Sequence, residues 1–158
     1  MKNKRYSNGE EWANALSHGS GILLGMIAGY LLLKRAAENR EPTWAVSCVS
    51  VYLVGMLSCY ISSTWYHASR PGRLKELLRK FDHGAIYLHI AGTYTPFTLL
   101  VMRHAGGWGW GIFSFVWLSA IAGLILSFTK LKEHSNLETI CFVGMGSAIL
   151  VALKPLMD

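Results

Sequence analysis

Apolar residues along this chain run in long blocks, and short polar runs separate them. The blocks fall at about residues 16–33, 44–66, 84–102, 108–128 and 139–153. A helix rises 1.5 Å per residue, so crossing a hydrocarbon layer ~30 Å thick takes about 20 mostly apolar residues. Inside that layer no water is available to the backbone, so segments of this kind must be helical. The pattern therefore predicts an all-α fold, a polytopic transmembrane helical bundle of five spans in a single domain over residues 16–158, entered through a segment at residues 1–15. Asn8 followed by Glu11 predicts a capping box that starts the first helix. Gly19, Gly21, Gly25 and Gly29 give that helix small faces for close packing. Pro96 lies inside the third block and predicts a kink. The short link at residues 103–107 makes the third and fourth spans neighbours, and Arg70-Pro71-Gly72 opens a basic loop over residues 68–81.

Composition sharpens this picture. Of 158 residues 52% are apolar and 15% charged, against ~25% charged in soluble domains. That balance excludes a soluble enzyme, a nucleic-acid reader and a disordered tail. The net charge of +6 is then a matter of topology. With the N-terminus inside, ten of the 15 Lys and Arg lie on the cytoplasmic side: three within residues 1–15, five within 68–81, and Lys130 and Lys132. Cytoplasmic loops of membrane proteins carry such an excess. The expected orientation has a cytoplasmic N-terminus, the partner is the lipid bilayer, and the basic loop faces anionic lipid. Cys48, Cys59 and Cys141 show no CxxC spacing. The first block is read as a true span and not a signal peptide, because Glu10 and Glu11 precede it and no small-residue cleavage site follows.

Polar residues at the edges of the spans are the candidates for chemistry, since such groups are costly near a bilayer. Glu11, Asn14 and His18 share one helical face at i, i+3, i+7, which also suits a solvated helix start. Ser63 and His67 stack at i, i+4 near the end of the second span, beside Tyr66. A neutral imidazole there is a good metal ligand, and a hydroxyl one turn away can orient a bound water; interface and packing roles compete with both. Asp82 opens the third span at the depth of His67, where a plain helix-start role competes. His89 continues the Asp82 face but lies ~10 Å deeper, and reads as a polar core residue. His83 points off that face, and His104 and His134 are loop residues with no partner visible in the sequence.

Four motifs in register carry a resemblance: Glu11-x-x-Asn14-x-x-Ser17-His18-Gly19, Ser62-Ser63-x-x-Tyr66-His67, Phe81-Asp82-His83-x-x-Ile86-Tyr87 and Ala91-Gly92-Thr93-Tyr94-Thr95-Pro96-Phe97. In these the chain resembles the hemolysin III family, grouped with the progestin and adipoQ receptors and the ceramidase-like superfamily. The resemblance implies a seven-helix architecture, of which five spans are visible, in a bacterial cell membrane. It also implies a zinc site near the cytoplasmic face, with His67 as a metal ligand and Ser63 and Asp82 as catalytic groups. Two further His in an HxxxH pair complete that site elsewhere in the superfamily, and no HxxxH occurs here. The chain is thus expected to be a fragment or truncated product, or to hold an incomplete site that His18 alone could supplement. The implied function lies in membrane lipid homeostasis, with metal-assisted hydrolysis of a lipid amide as the mechanism. Pore formation with cytolysis, as the family name implies, and a non-catalytic membrane sensor are the alternatives. Unfilled helix faces would favour an oligomer.

Overall fold

The structure, a computed structural model, describes residues 6–129 and 136–152. Five α-helices follow one another: α1 (Asn8–Ala37), α2 (Pro42–Ala68), α3 (Arg73–Pro96), α4 (Trp108–Phe128) and α5 (Asn136–Gly146). Among the described residues four helices are long and apolar enough to cross a membrane, and the shorter apolar stretch Glu138–Val151 follows. The chain is therefore a multi-pass helical membrane bundle.

The helices overrun the apolar blocks at their polar ends, for local reasons. α1 is capped by Ser7, whose hydroxyl accepts the Glu10 N–H while the Glu10 carboxylate accepts the Ser7 N–H. The capping box thus sits one residue before the expected Asn8–Glu11 pair. The shift follows from Ser7 holding the extended conformation of a cap residue (φ −66°, ψ 159°), and it leaves the Glu11 side chain available for other bonds. α2 starts with Pro42 in its first turn, where no N–H is needed. The basic stretch at 68–81 is for the most part helix and not loop. Gly72 turns the chain at φ 157° and ψ −176°, a conformation essentially confined to glycine, and α3 begins at the next residue. About three turns of mixed, charge-bearing helix therefore precede the apolar run of α3.

α3 lies at the centre of the bundle, packed between α2 and α4, while α1 packs on the outer side of α2 and α5 touches α3 and α4. Glycines permit the closest approaches. A Cβ on Gly55 would meet the Leu88 carbonyl oxygen, and one on Gly109 would meet that of Thr98. One core, built on Tyr87, Ala91, Tyr94 and Val116, joins α3, α4 and α5. A second, built on Ala45, Val49, Leu53 and Met56, joins α1 and α2. Leu23, Leu24, Ile27 and Leu31 on α1, and Leu118, Ile121 and Ile125 on α4, are exposed, as lipid-facing side chains must be.

The expected break at Pro96 takes a specific form. The helix widens into a π-turn over Phe97–Val101 and then tightens into a 3₁₀ turn over Met102–His104. The carbonyl of Leu99 accepts a hydrogen bond from the Trp44 indole at 3.3 Å. Just before the break, the Tyr94 hydroxyl donates to the Gly146 carbonyl at 2.7 Å and accepts the Ile149 N–H at 3.1 Å. It thereby bridges the point where α5 gives way to the 3₁₀ segment Ser147–Ala152. The run around Thr93–Phe97 is in this sense structural. Its three nearby threonines, Thr93, Thr95 and Thr98, all bond back to carbonyls of their own helix.

Candidate functional site

The polar groups gather where the start of α1, the end of α2 and the polar first turns of α3 meet. Nδ1 of His67 lies 2.7 Å from one carboxylate oxygen of Glu11, and Nζ of Lys75 lies 2.7 Å from the other. The side chains are well shielded, with 9% of His67, 19% of Glu11 and 14% of Lys75 exposed. Lys75 also donates to the carbonyl of Ser69 at 3.2 Å and lies 5.0 Å from the centre of the Tyr66 ring. One carboxylate thus ties together three helices.

Burial works against the charge of Glu11. The hydrogen bonds and charges of Lys75 and His67 outweigh it, so the carboxyl is held below the usual carboxylate range. An ionised carboxylate can only accept, so the hydrogen between Glu11 and His67 belongs on Nδ1. In the neutral imidazole that leaves the Nε2 lone pair free for a proton or a ligand.

Aromatic rings wall this histidine. His18 stacks on it with planes 3° apart and centres 6.2 Å apart, Tyr66 lies at 4.7 Å, and Tyr6 approaches edge-on at 5.8 Å. Ser63, one turn along α2, is buried with 4% exposure. Glu11, His18, Tyr66 and His67, all singled out by the sequence pattern, are therefore brought together.

Other candidates stand apart. Asn14 is half-exposed on α1, and its carbonyl accepts the Ser17 hydroxyl. Asp82 is half-buried. No hydrogen bond joins it to His67 among the described residues. His89 meets the edge of the Tyr60 ring at 6.1 Å, deeper along α3.

Two partners were not legible in advance. Lys75 looks like one more cation of a basic run, but with α3 starting at Arg73 it falls at i, i+7 with Asp82 and turns inward. His83 pairs with Glu138 at 3.1 Å and so links α3 to α5, a contact between residues 55 apart that no local pattern announces. His134 lies outside the described residues.

A zinc ion needs three protein donors plus water, or four donors. Among the described residues no group of three His, Cys, Asp or Glu is arranged to hold a metal. His67 offers one nitrogen, and its other ring nitrogen is already taken by Glu11. The donor set falls short of the zinc site that the resemblance implies.

The fold and this one-sided polar cluster define a multi-pass helical membrane protein with a half-buried histidine–carboxylate–lysine cluster. The sequence profile of the Haemolysin-III related family matches residues 6–158, and the chain belongs to that family. It is 38% identical to "Hemolysin-3" of Bacillus cereus over 149 residues, covering 94% of this chain and 67% of that protein. It is 37% identical to "Hemolysin-3 homolog" of Bacillus subtilis (strain 168) over 147 residues, covering 93% of this chain and 68% of that protein.

Proposed function

We propose that this protein acts on membrane lipid at the cytoplasmic face of a bacterial cell membrane, in lipid homeostasis, by hydrolysing a lipid amide. The observation that carries the reading is the clamp of Glu11 on Nδ1 of His67. It fixes the tautomer and orientation of an imidazole whose Nε2 has no hydrogen-bond partner among the described residues, with Ser63 one turn away on the same helix. In this mechanism Nε2 takes a proton from water as the water oxygen bonds to the amide carbon. Ser63 donates its hydroxyl hydrogen to the carbonyl oxygen as that oxygen becomes negative, and Asp82 orients the water. The proton on His67 then passes to the amide nitrogen as the C–N bond breaks, releasing a fatty acid and an amine.

The test uses purified protein in mixed micelles with an N-acyl lipid that carries a fluorescent acyl chain. Fluorescent fatty acid should appear with the wild type, fall to background with His67→Ala and be reduced with Ser63→Ala. No release from the wild type, or equal release from His67→Ala, would overturn the reading. Zinc is proposed as a weakly held ligand of Nε2 of His67, where it would occupy the lone pair that takes the proton. A mild chelator is therefore expected to strip the metal without lowering release. Loss of release on chelation, restored by added zinc, would assign zinc a part in the chemistry.

The charge asymmetry supports the orientation with the Glu11–His67 end in the cytoplasm. In a chain whose native cysteines are replaced by Ala, Arg70→Cys should react with an impermeant maleimide only in opened cells. Asn39→Cys should react in intact ones, and the reverse pattern would invert the topology.

The names of the two Bacillus relatives speak of hemolysis, for which pore formation would be the second reading. A pore calls for polar side chains along the whole length of several spans, whereas the polar cluster here gathers at one end and α4 carries no ionisable residue. These features favour a one-sided site.

A further inference from the structure

The basic stretch after α2 divides into two surfaces. Lys75 turns inward to Glu11 and Ser69. Arg70 and Arg73 are exposed and Lys80 is half-exposed; among the described residues none of the three has an ion-pair partner. Successive residues of a helix turn by about 100°, so Arg73, Leu77 and Lys80 share the outward face of α3, with Leu74 and Phe81 along its edge. Leu74 is 56% exposed, and Leu77 and Phe81 are each 48% exposed. Glu76, also exposed, offsets one of the three cations.

This interleaving decides the environment. Three large apolar side chains on one face are poorly placed in water, and three cations beside them are poorly placed in hydrocarbon. From Leu74 to Phe81 the helix rises ~10 Å, enough to pass through a headgroup layer some 5–8 Å thick. Only the boundary between headgroups and acyl chains suits both sets of side chains. The surplus of positive charge selects a negatively charged headgroup. We propose that the outward face of residues 70–81 is a recognition surface for anionic phospholipid, with Arg70, Arg73 and Lys80 on the phosphates and Leu74, Leu77 and Phe81 in the acyl boundary. The surface is separate from the Glu11–His67 cluster and does not depend on the hydrolase reading.

The test titrates the purified full chain, in neutral detergent, with phosphatidylglycerol, phosphatidylcholine or inorganic phosphate, and follows the thermal unfolding midpoint. Phosphatidylglycerol should stabilise and the other two should not. The effect should weaken as salt rises from 0.1 to 1 M and the screening length falls from ~10 to ~3 Å. Combining Arg70→Gln, Arg73→Gln and Lys80→Gln should raise the half-saturating phosphatidylglycerol concentration on the order of a hundredfold. Arg70→Lys with Arg73→Lys should leave it nearly unchanged, as should Lys34→Gln with Arg40→Gln at the other end of the bundle. The proposal is overturned if phosphatidylcholine or inorganic phosphate stabilises equally, if wild-type binding ignores salt, or if the Lys34 and Arg40 changes match the triple variant. Should the triple variant fail to fold, the salt dependence of the wild type still decides.

Discussion

Replacing Glu11 by Ala is expected to destabilise the folded chain by about 2–3 kcal/mol, a drop of roughly 5–10 °C in unfolding temperature. Removing one partner of a fully buried ion pair costs about 3–5 kcal/mol, because the other charge is left without compensation. Here 14% of Lys75 and 19% of Glu11 remain exposed, so water recovers part of that loss. The double change Glu11→Ala with Lys75→Met should restore more than half of the stability, since it removes the stranded cation. The pH dependence has a definite sign. The Glu11 carboxyl is held below its free value of 4.5, so its stabilisation is complete above pH 4.5. It is lost as pH falls through the lowered value in the folded protein. The stability of wild type and Glu11→Ala should therefore converge on acidification below that pH. A gap that persists unchanged to pH 3, read by thermal unfolding in detergent, would show that the carboxylate charge is not what binds the three helices.

The second large effect is expected from Gly55→Ala. A Cβ at Gly55 would lie 2.5 Å from the Leu88 carbonyl oxygen, 3.1 Å from its carbon and 3.3 Å from the Cα of His89. All three are backbone atoms, so no side-chain rotation relieves the clash, and α2 must move away from α3. The cost is expected to be about 3 kcal/mol. Ser63 and His67 ride on α2 and Lys75 and Asp82 on α3, so the movement would also loosen the link through Glu11. Gly25→Ala is the matched control. Its new Cβ would meet the terminal methyl of Met56 at 2.8 Å, the far end of a flexible side chain that can swing aside. Thermal unfolding of the two variants checks the contrast, and equal losses would mean that the α2–α3 contact is not the constraint.

Parts of the candidate site could be read early because they depend on helical spacing alone. Ser63 and His67 share a face at i, i+4, as do Glu11 and His18 at i, i+7, once each segment is helical. Their meeting across helices was not readable that way. Asp82 lies on the same face of α3 as Lys75, at i, i+7, but about 10 Å further along the helix. The residue that bonds Glu11 from α3 is Lys75, about two turns earlier, because Gly72 starts that helix well before the apolar run. The Tyr94 bonds to Gly146 and Ile149 were hidden for a related reason. A hydroxyl in an apolar segment advertises that it needs partners, but not which distant backbone supplies them.

The environment and the all-α membrane class of fold were legible in the sequence alone. Those follow from one dominant energy, the cost of exposing charge or bare backbone to hydrocarbon, and that cost is summed along the chain segment by segment. Membership of the Haemolysin-III related family was carried in the same one-dimensional order, by motifs in register. Tertiary structure alone decided which carboxylate meets which base. The capping box moved by one residue and freed Glu11. The basic run split into an inward Lys75 and outward Arg70, Arg73 and Lys80. Asp82 was left without a hydrogen bond to His67 among the described residues. The meeting of Glu11 with His67 and Lys75 depends on the rotation of one helix against another. That rotation is set by close contacts such as Gly55 on Leu88, short-ranged interactions between residues more than 30 positions apart that leave no periodic trace in the sequence.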